Sequence, residues 1–215
     1  MDALLQRESS LSIAPLPPGV ADRRLGLVGE IRAFIGRVYP NQDVGEIGSD
    51  HYELLCKSVA CLDRVLVTPL AGAFVQSRAF PAACFLLASK FVKPDFLKIQ
   101  DAAGLCGVCV DEMVKVELFV FFYSGLNLFC VTASDYLAAL DIPGEHMLAL
   151  AEKLVASLYL VPYTSHPPSV VAAALLHSAL PVELLGLDAD TGLSRFLRAM
   201  VGQREAVLCL AGRLK

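Results

Sequence analysis

The chain has 215 residues, of which 55% are hydrophobic and 19% are charged, and its net charge is −4. The longest apolar runs, 82–88 and 118–123, are far shorter than the roughly 20 residues of a membrane-spanning helix, so no membrane association is expected. Lys and Arg form no cluster that would neutralise phosphates, which argues against a nucleic-acid partner. Residues 1–20 lack the basic flank and apolar centre of a signal peptide, so an intracellular protein is expected.

The first 21 residues end in a proline-rich stretch, Ala14–Gly19, that cannot be helical. We interpret 1–21 as an N-terminal tail or helix that docks without being part of the core. From Arg24 to Val38 apolar residues recur at three- and four-residue steps, which predicts a helix. Ser49 is placed to cap a second helix that runs to Leu66.

A long apolar helix is predicted from Gly72 to Phe91, with a bend at Pro81 because a proline inside a helix removes a hydrogen bond. A short helix over 94–103 and another over 110–125 follow. The second half repeats the plan, with helical patterns over 134–140, 144–160, 167–180 and 193–214 and a short turn near 182–187. No segment alternates convincingly with the period of a strand. The sequence therefore predicts an all-α fold of two consecutive bundles of about five helices, 22–130 and 131–215, joined by a linker at Phe129–Val131.

The chain has seven cysteines, an odd number, in mostly apolar surroundings. Cys106 and Cys109 have the spacing of a redox pair or of half a zinc site. A structural zinc site needs a second pair of ligands, and the sequence offers neither another CxxC nor an HxxxH. We therefore expect free thiols that act as small core hydrophobes, and no metal or cofactor.

Five segments, in order and at characteristic spacing, resemble the motifs of the cyclin family, with D-type and herpesviral cyclins the most similar. They are Leu62-Asp-Arg64, Ala82-Ala-Cys-Phe-Leu-Leu-Ala-Ser-Lys-Phe91, Val116-Glu117 through Leu128, Val131-Thr-Ala-Ser-Asp-Tyr-Leu137 and His166-Pro-Pro-Ser-Val-Val-Ala-Ala-Ala174.

The resemblance implies two cyclin folds and a regulatory role. Such a chain is not itself an enzyme: it pairs with a cyclin-dependent kinase, activates it and promotes cell-cycle progression in the nucleus and cytoplasm, or in the host nucleus for a viral protein. Kinase inhibitors and substrates are further partners that the resemblance suggests. The sequence has no GxGxxG loop and no HRD or DFG motif of its own.

By motif, Lys90 and Glu117 match the residues that hydrogen-bond the kinase backbone beside its C helix; the alternative is an ordinary surface Lys and Glu. Five apolar positions match those that cradle that helix, although core packing would favour the same residue types. They are Leu87, Phe91, Phe121, Leu126 and Leu128.

The predicted substrate-docking patch lies on the first helix, where Ile31, Arg32, Phe34, Ile35 and Val38 resemble the family's MRAIL-like segment. This patch departs from the family pattern. The family's Trp falls near Val38. The polar partners of a docking Arg, which tend to be an acid and a Gln in the family, fall near Asn41 and Arg78. Because an acid is missing and an arginine is added, RxL-type peptides are predicted to bind poorly. The alternative for Arg32 is an ordinary surface arginine.

Two other functions stay open. A cyclin-fold protein that binds partners, such as a transcription-associated factor, need not activate a kinase. An enzyme on a helical bundle would need converging ionisable groups, yet His51, His146, His166 and His177 share no ligand-like spacing.

Overall fold

A computed structural model describes residues 1–8, 16–17, 19–39, 49–94, 96–125, 130–181, 185 and 191–214. Within these ranges the chain forms eleven α-helices and no β-strand, which confirms the all-α prediction. The helices are α1 (Asp2–Glu8), α2 (Val20–Val38), α3 (Asp50–Leu66), α4 (Ala79–Val92), α5 (Ile99–Cys106), α6 (Val110–Tyr123), α7 (Ala133–Ala138), α8 (Met147–Leu160), α9 (Pro168–Ala179), α10 (Gly192–Ala199) and α11 (Arg204–Arg213). Single 3₁₀ turns cover Ala71–Ala73, Gly144–His146 and Val201–Gln203. None of the described helices is both long enough and apolar enough to cross a membrane.

The prediction of a long, bent helix that begins at Gly72 was wrong. The chain forms a 3₁₀ turn at Ala71–Ala73, and α4 begins only at Ala79. Pro81 is thus the third residue of α4, where a missing N–H group has no partner inside the helix. A proline in the first turn starts the helix here and does not bend it.

The predicted C-terminal helix over 193–214 is also divided. Helix α10 ends at Ala199, a 3₁₀ turn covers Val201–Gln203, and α11 begins at Arg204. Gly202 lies in this turn, and a glycine inside a continuous helix costs about 0.5–1 kcal/mol relative to alanine. Apolar residues recur at three- and four-residue steps on both sides of the break, so the sequence pattern alone predicts one continuous helix.

Two groups of buried side chains form the cores. The first lies among α2–α6 and contains Phe34, Phe80 and Phe85, and the second lies mainly among α7–α11 around Tyr136 and Phe196. Helix α4 is buried at every residue from Ala79 through Ser89, because its alanines and Cys84 let neighbouring helices approach closely. The Phe34 and Phe85 rings meet edge to face, with centroids 5.4 Å apart, where α2 crosses α4.

Helix α1 packs against the second core through Leu4 and Leu5 and also through a buried carboxylate. Glu8 accepts hydrogen bonds from the Tyr136 hydroxyl at 2.6 Å and from the Ser169 backbone N–H at 2.8 Å. Helix α9 starts with Pro167 at its cap and Pro168, neither of which has an N–H group, so Ser169 carries the first donor that needs a partner. Part of the predicted tail therefore stabilises the start of a distant helix.

A buried ion pair connects the two cores. Arg24 of α2 donates to Asp63 of α3 through Nε at 2.6 Å and Nη2 at 3.0 Å. The same guanidinium donates to the carbonyls of Tyr159 and Val161 at the end of α8, and the Tyr163 N–H donates to Asp63 at 2.6 Å. Burial raises the pKa of the Asp63 carboxyl, and the hydrogen bonds from Arg24 and Tyr163 oppose that rise. We call this group the Arg24–Asp63 junction.

Candidate functional site

Lys90 and Glu117 lie together at the surface. Helix α4 emerges from the first core after Ser89, and α6 packs beside it, so the Lys90 ammonium donates a hydrogen bond to the Glu117 carboxylate. The Lys90 side chain is 49% exposed, whereas that of Glu117 is 10% exposed. The two residues that the motifs single out, 27 positions apart, thus form one half-buried ion pair. Lys90 also lies in the last turn of α4, where a cation is favoured by the helix dipole.

Exposed apolar side chains surround this pair. On α6, Val114, Leu118 and Phe122 follow one another at four-residue intervals, so they line one face of the helix. Leu118 is 50% exposed and Phe122 is 61% exposed, while Phe91, next to Lys90, is 37% exposed. Large apolar side chains grouped around a charged pair are typical of a protein-binding surface. We call Lys90, Phe91, Val114, Glu117, Leu118, Phe121 and Phe122 the α4–α6 surface.

The other predicted kinase contacts divide between surface and core. Phe121 is half-buried and packs against the first core, and Leu87 is buried within it. The position of Leu87 fits the alternative interpretation, core packing. Leu126 and Leu128 lie outside the described residues.

Leu118 and Phe122 were not predicted from the sequence. The signal that points to them is the continuous apolar run 118–123 after Glu117, which makes the C-terminal half of α6 apolar on nearly all sides. A helix with that composition cannot bury every face against a single core.

The predicted docking patch is mostly internal. Ile31, Phe34 and Ile35 are buried in the first core, because they form the apolar face with which α2 covers α4. Arg32 is exposed and lies on the α8 side, in a groove of about 440 Å³ that Glu152 also lines. Val38 is half-buried. The docking role of these residues stays a prediction.

A separate groove lies where α2, α4 and α5 meet, and Arg78 lies in it. Its volume is about 360 Å³. We call it the α2–α4–α5 groove, and its lining consists of Glu30, Ala33, Phe34, Arg37, Arg78, Pro81, Ala82, Leu105 and Cys106. Asn41, the other position that departs from the family's docking pattern, lies outside the described residues.

The cysteines form no disulfide. Burial raises the pKa of the Cys56 thiol to about 12 and also raises the pKa of Cys106, which is half-buried. Cys109 is exposed at the start of α6. Over the described ranges, no three His, Cys, Asp or Glu side chains are grouped as a metal ion would require.

Comparison with known protein families gave no match, and no curated protein matched the sequence. Any function is therefore inferred from the residues and contacts described above.

Proposed function

We propose that this chain is a cyclin: a non-catalytic subunit with two consecutive five-helix cyclin folds that binds a cyclin-dependent kinase and activates it. The observation that carries the proposal is the Lys90–Glu117 pair within the exposed apolar α4–α6 surface. The ordered motifs that contain both residues give the second support. Through a separate surface, inhibitors or substrates of the kinase would dock.

Activation in this proposal is a shift between two states of the kinase. Phosphoryl transfer requires a Lys–Glu pair in the kinase, and this pair forms only when the kinase C helix is in its active position. A partner that binds the active position more tightly than the inactive one raises the population of the active state by that difference in affinity. The α4–α6 surface supplies apolar contact area for such a helix.

The ion pair suits this role because of its unused hydrogen-bonding capacity. An ammonium group has three donors, and Glu117 takes one of them. Within the described part of the chain the remaining donors of Lys90 have no partner, so they could reach backbone carbonyls of a bound protein. Because Glu117 already balances the charge, burying Lys90 in an interface costs less than burying an unpaired ammonium.

The direct test is co-purification of the chain with a panel of cyclin-dependent kinases, followed by assays on histone and retinoblastoma-type substrates. Lys90→Ala and Glu117→Ala should each weaken kinase binding by about 2–5 kcal/mol without changing the melting temperature by more than a few degrees. Lys93→Ala is the matched control, since Lys93 lies at the same end of α4, is 47% exposed and pairs with Asp50 instead.

Equal affinity for the native chain and both variants would remove the pair from the interface. Binding without any rise in kinase activity would favour the alternative, a cyclin-fold binding protein. If the chain bound no kinase in the panel, the proposal would be refuted.

A further inference from the structure

The second bundle has a groove of its own, bordered by α9, the end of α10, the turn that follows it and α11. Its volume is about 290 Å³. Leu197, Met200 and Val207 form its floor and belong to the second core, so the packing of the bundle fixes the floor in place. Sites for small molecules usually measure about 300–1,000 Å³, so this groove is better suited to one or two side chains of another protein. We call it the α9–α11 groove.

The rim of the α9–α11 groove combines exposed apolar side chains with an arginine. Val201 is 61% exposed, and Arg204, three residues later, is exposed as well. Leu208 follows Arg204 by four residues, so it lies on the same face of α11, and it is 49% exposed. Apolar side chains grouped in this way at the rim of a groove are typical of a protein-binding surface.

The charge of Arg204 is not balanced within the described part of the chain. No described acid lines the groove, and no described carboxylate lies within ion-pair distance of the Arg204 guanidinium. Arg204 is the first residue of α11, where the helix dipole disfavours a cation, so its charge does not stabilise this helix. Burial and also the charge of Arg204 lower the pKa of His177 on α9. Arg204 therefore supplies the positive charge of the groove at pH 7.

The surroundings of the groove extend this positive charge. Four arginines and one acid lie in α10 and α11, although the chain as a whole has a net charge of −4. A positive region on an acidic protein attracts acidic partners. The phosphates of a nucleic acid would leave the apolar floor unfilled, so an acidic segment of a protein fits the groove better. The arginines are Arg195, Arg198, Arg204 and Arg213, and the acid is Glu205.

We propose that the α9–α11 groove binds an acidic segment of a partner protein, which places a large apolar side chain between α9 and α11 and a carboxylate at Arg204. A guanidinium binds a carboxylate through two parallel hydrogen bonds, and the apolar side chain fixes the position of the segment along the groove. This inference does not depend on the proposed kinase subunit role, because Lys90 and Glu117 lie on α4 and α6 of the first bundle.

The test begins with a phage-displayed library of random peptides selected on the whole native protein and, in parallel, on Arg204→Glu. An acid is favoured in the first turn of a helix, so Arg204→Glu should melt no lower than the native chain. Peptides that the native protein retains and Arg204→Glu loses should contain Asp or Glu close to Leu, Phe or Met. The most enriched of these peptides is then synthesised with a fluorescent label, and its affinity is measured by anisotropy.

Arg204→Gln should weaken binding of that peptide about tenfold or more, because the carboxylate loses its cation. Arg213→Gln is the matched control and should leave the affinity unchanged, since Arg213 is also exposed on α11 but does not line the groove. Val201→Asp should weaken binding as well, through the loss of apolar surface and the added like charge. A peptide whose acids are replaced with Lys should bind Arg204→Glu about tenfold or more tightly than it binds the native chain.

The inference would be overturned if no retained peptide depended on Arg204, if the dependent peptides were basic, or if Arg204→Gln and Arg213→Gln had equal effects. Concentration-dependent dimers in sedimentation that Arg204→Glu abolishes, with no peptide retained, would overturn it in favour of a second copy of the chain. Arg204→Glu should leave kinase binding intact and Lys90→Ala should leave peptide binding intact, so the two proposals can fail separately.

Discussion

The Arg24–Asp63 junction makes a quantitative prediction about stability. Replacing Asp63 with Ala leaves the buried Arg24 guanidinium without its counter-charge and the Tyr163 N–H without its acceptor. Breaking a buried ion pair by removing one partner costs about 3–5 kcal/mol. For a chain of this size each kcal/mol corresponds to roughly 2–4 °C in melting temperature, so Asp63→Ala should melt about 6–20 °C below the native chain.

The reverse substitution and the double variant test whether the charges act as a pair. Arg24→Met leaves Asp63 buried with one remaining donor and frees the Tyr159 and Val161 carbonyls, so its cost should be similar. The double variant Arg24→Met with Asp63→Leu removes both charges and should cost less than the sum of the single changes, by about 0.5–3 kcal/mol. Urea titrations followed by circular dichroism give the three free energies of unfolding.

Arg23→Ala is the control for the loss of an arginine at this end of α2. Arg23 is exposed and donates only one described hydrogen bond, to the Val75 carbonyl, so its loss should change the free energy of unfolding by less than about 1 kcal/mol. If Asp63→Ala were no more destabilising than Arg23→Ala, the junction would not hold the two cores together as described.

Three other outcomes follow from the buried groups. Glu8→Ala should destabilise the protein by about 1–3 kcal/mol and Glu8→Gln by less, measured by thermal melting, because the amide keeps one acceptor for the Ser169 N–H. Thiol titration should count seven cysteines in denaturant, with Cys109 and Cys209 reacting fastest in the folded chain because both are exposed; a disulfide or slow reaction of both would contradict this. Burial, together with a nearby arginine in each case, lowers the pKa of three histidines below the ordinary value of 6.5, so the unfolded chain binds more protons as the pH falls below that value. These histidines are His51, His166 and His177. The melting temperature should therefore drop as the pH is lowered from 7.5 to 5.5. If the drop were unchanged after all three are replaced with Asn, other groups would be its cause.

The helices themselves were largely readable from the sequence, because apolar residues at three- and four-residue steps reflect the face that each helix buries. The predicted helix boundaries were wrong where the local sequence pattern is compatible with two different structures. Pro81 reads as a break inside a helix, yet it lies in the first turn, where proline fits. At Gly202 the apolar period continues although the helix does not.

Long-range polar contacts could not be predicted in this way. Helix α2 carries Arg23, Arg24, Arg32 and Arg37, and the sequence singled out Arg32 through its position in a motif. The structure buries Arg24 instead, since its partner Asp63 lies 39 residues away on α3. Glu8 pairs with Ser169 across 161 residues. Only the packing of the helices brings such groups together, and a local pattern carries no signal for them.

Helix α4 joins the α2–α4–α5 groove to the α4–α6 surface. Its first turn borders the groove, its last turn carries Lys90, and every residue from Ala79 through Ser89 is buried between them. A helix packed on all sides does not bend easily, because a dense core resists small displacements. Lys90 is therefore held beside Glu117 before any partner binds, so a partner of the α4–α6 surface meets a preformed ion pair.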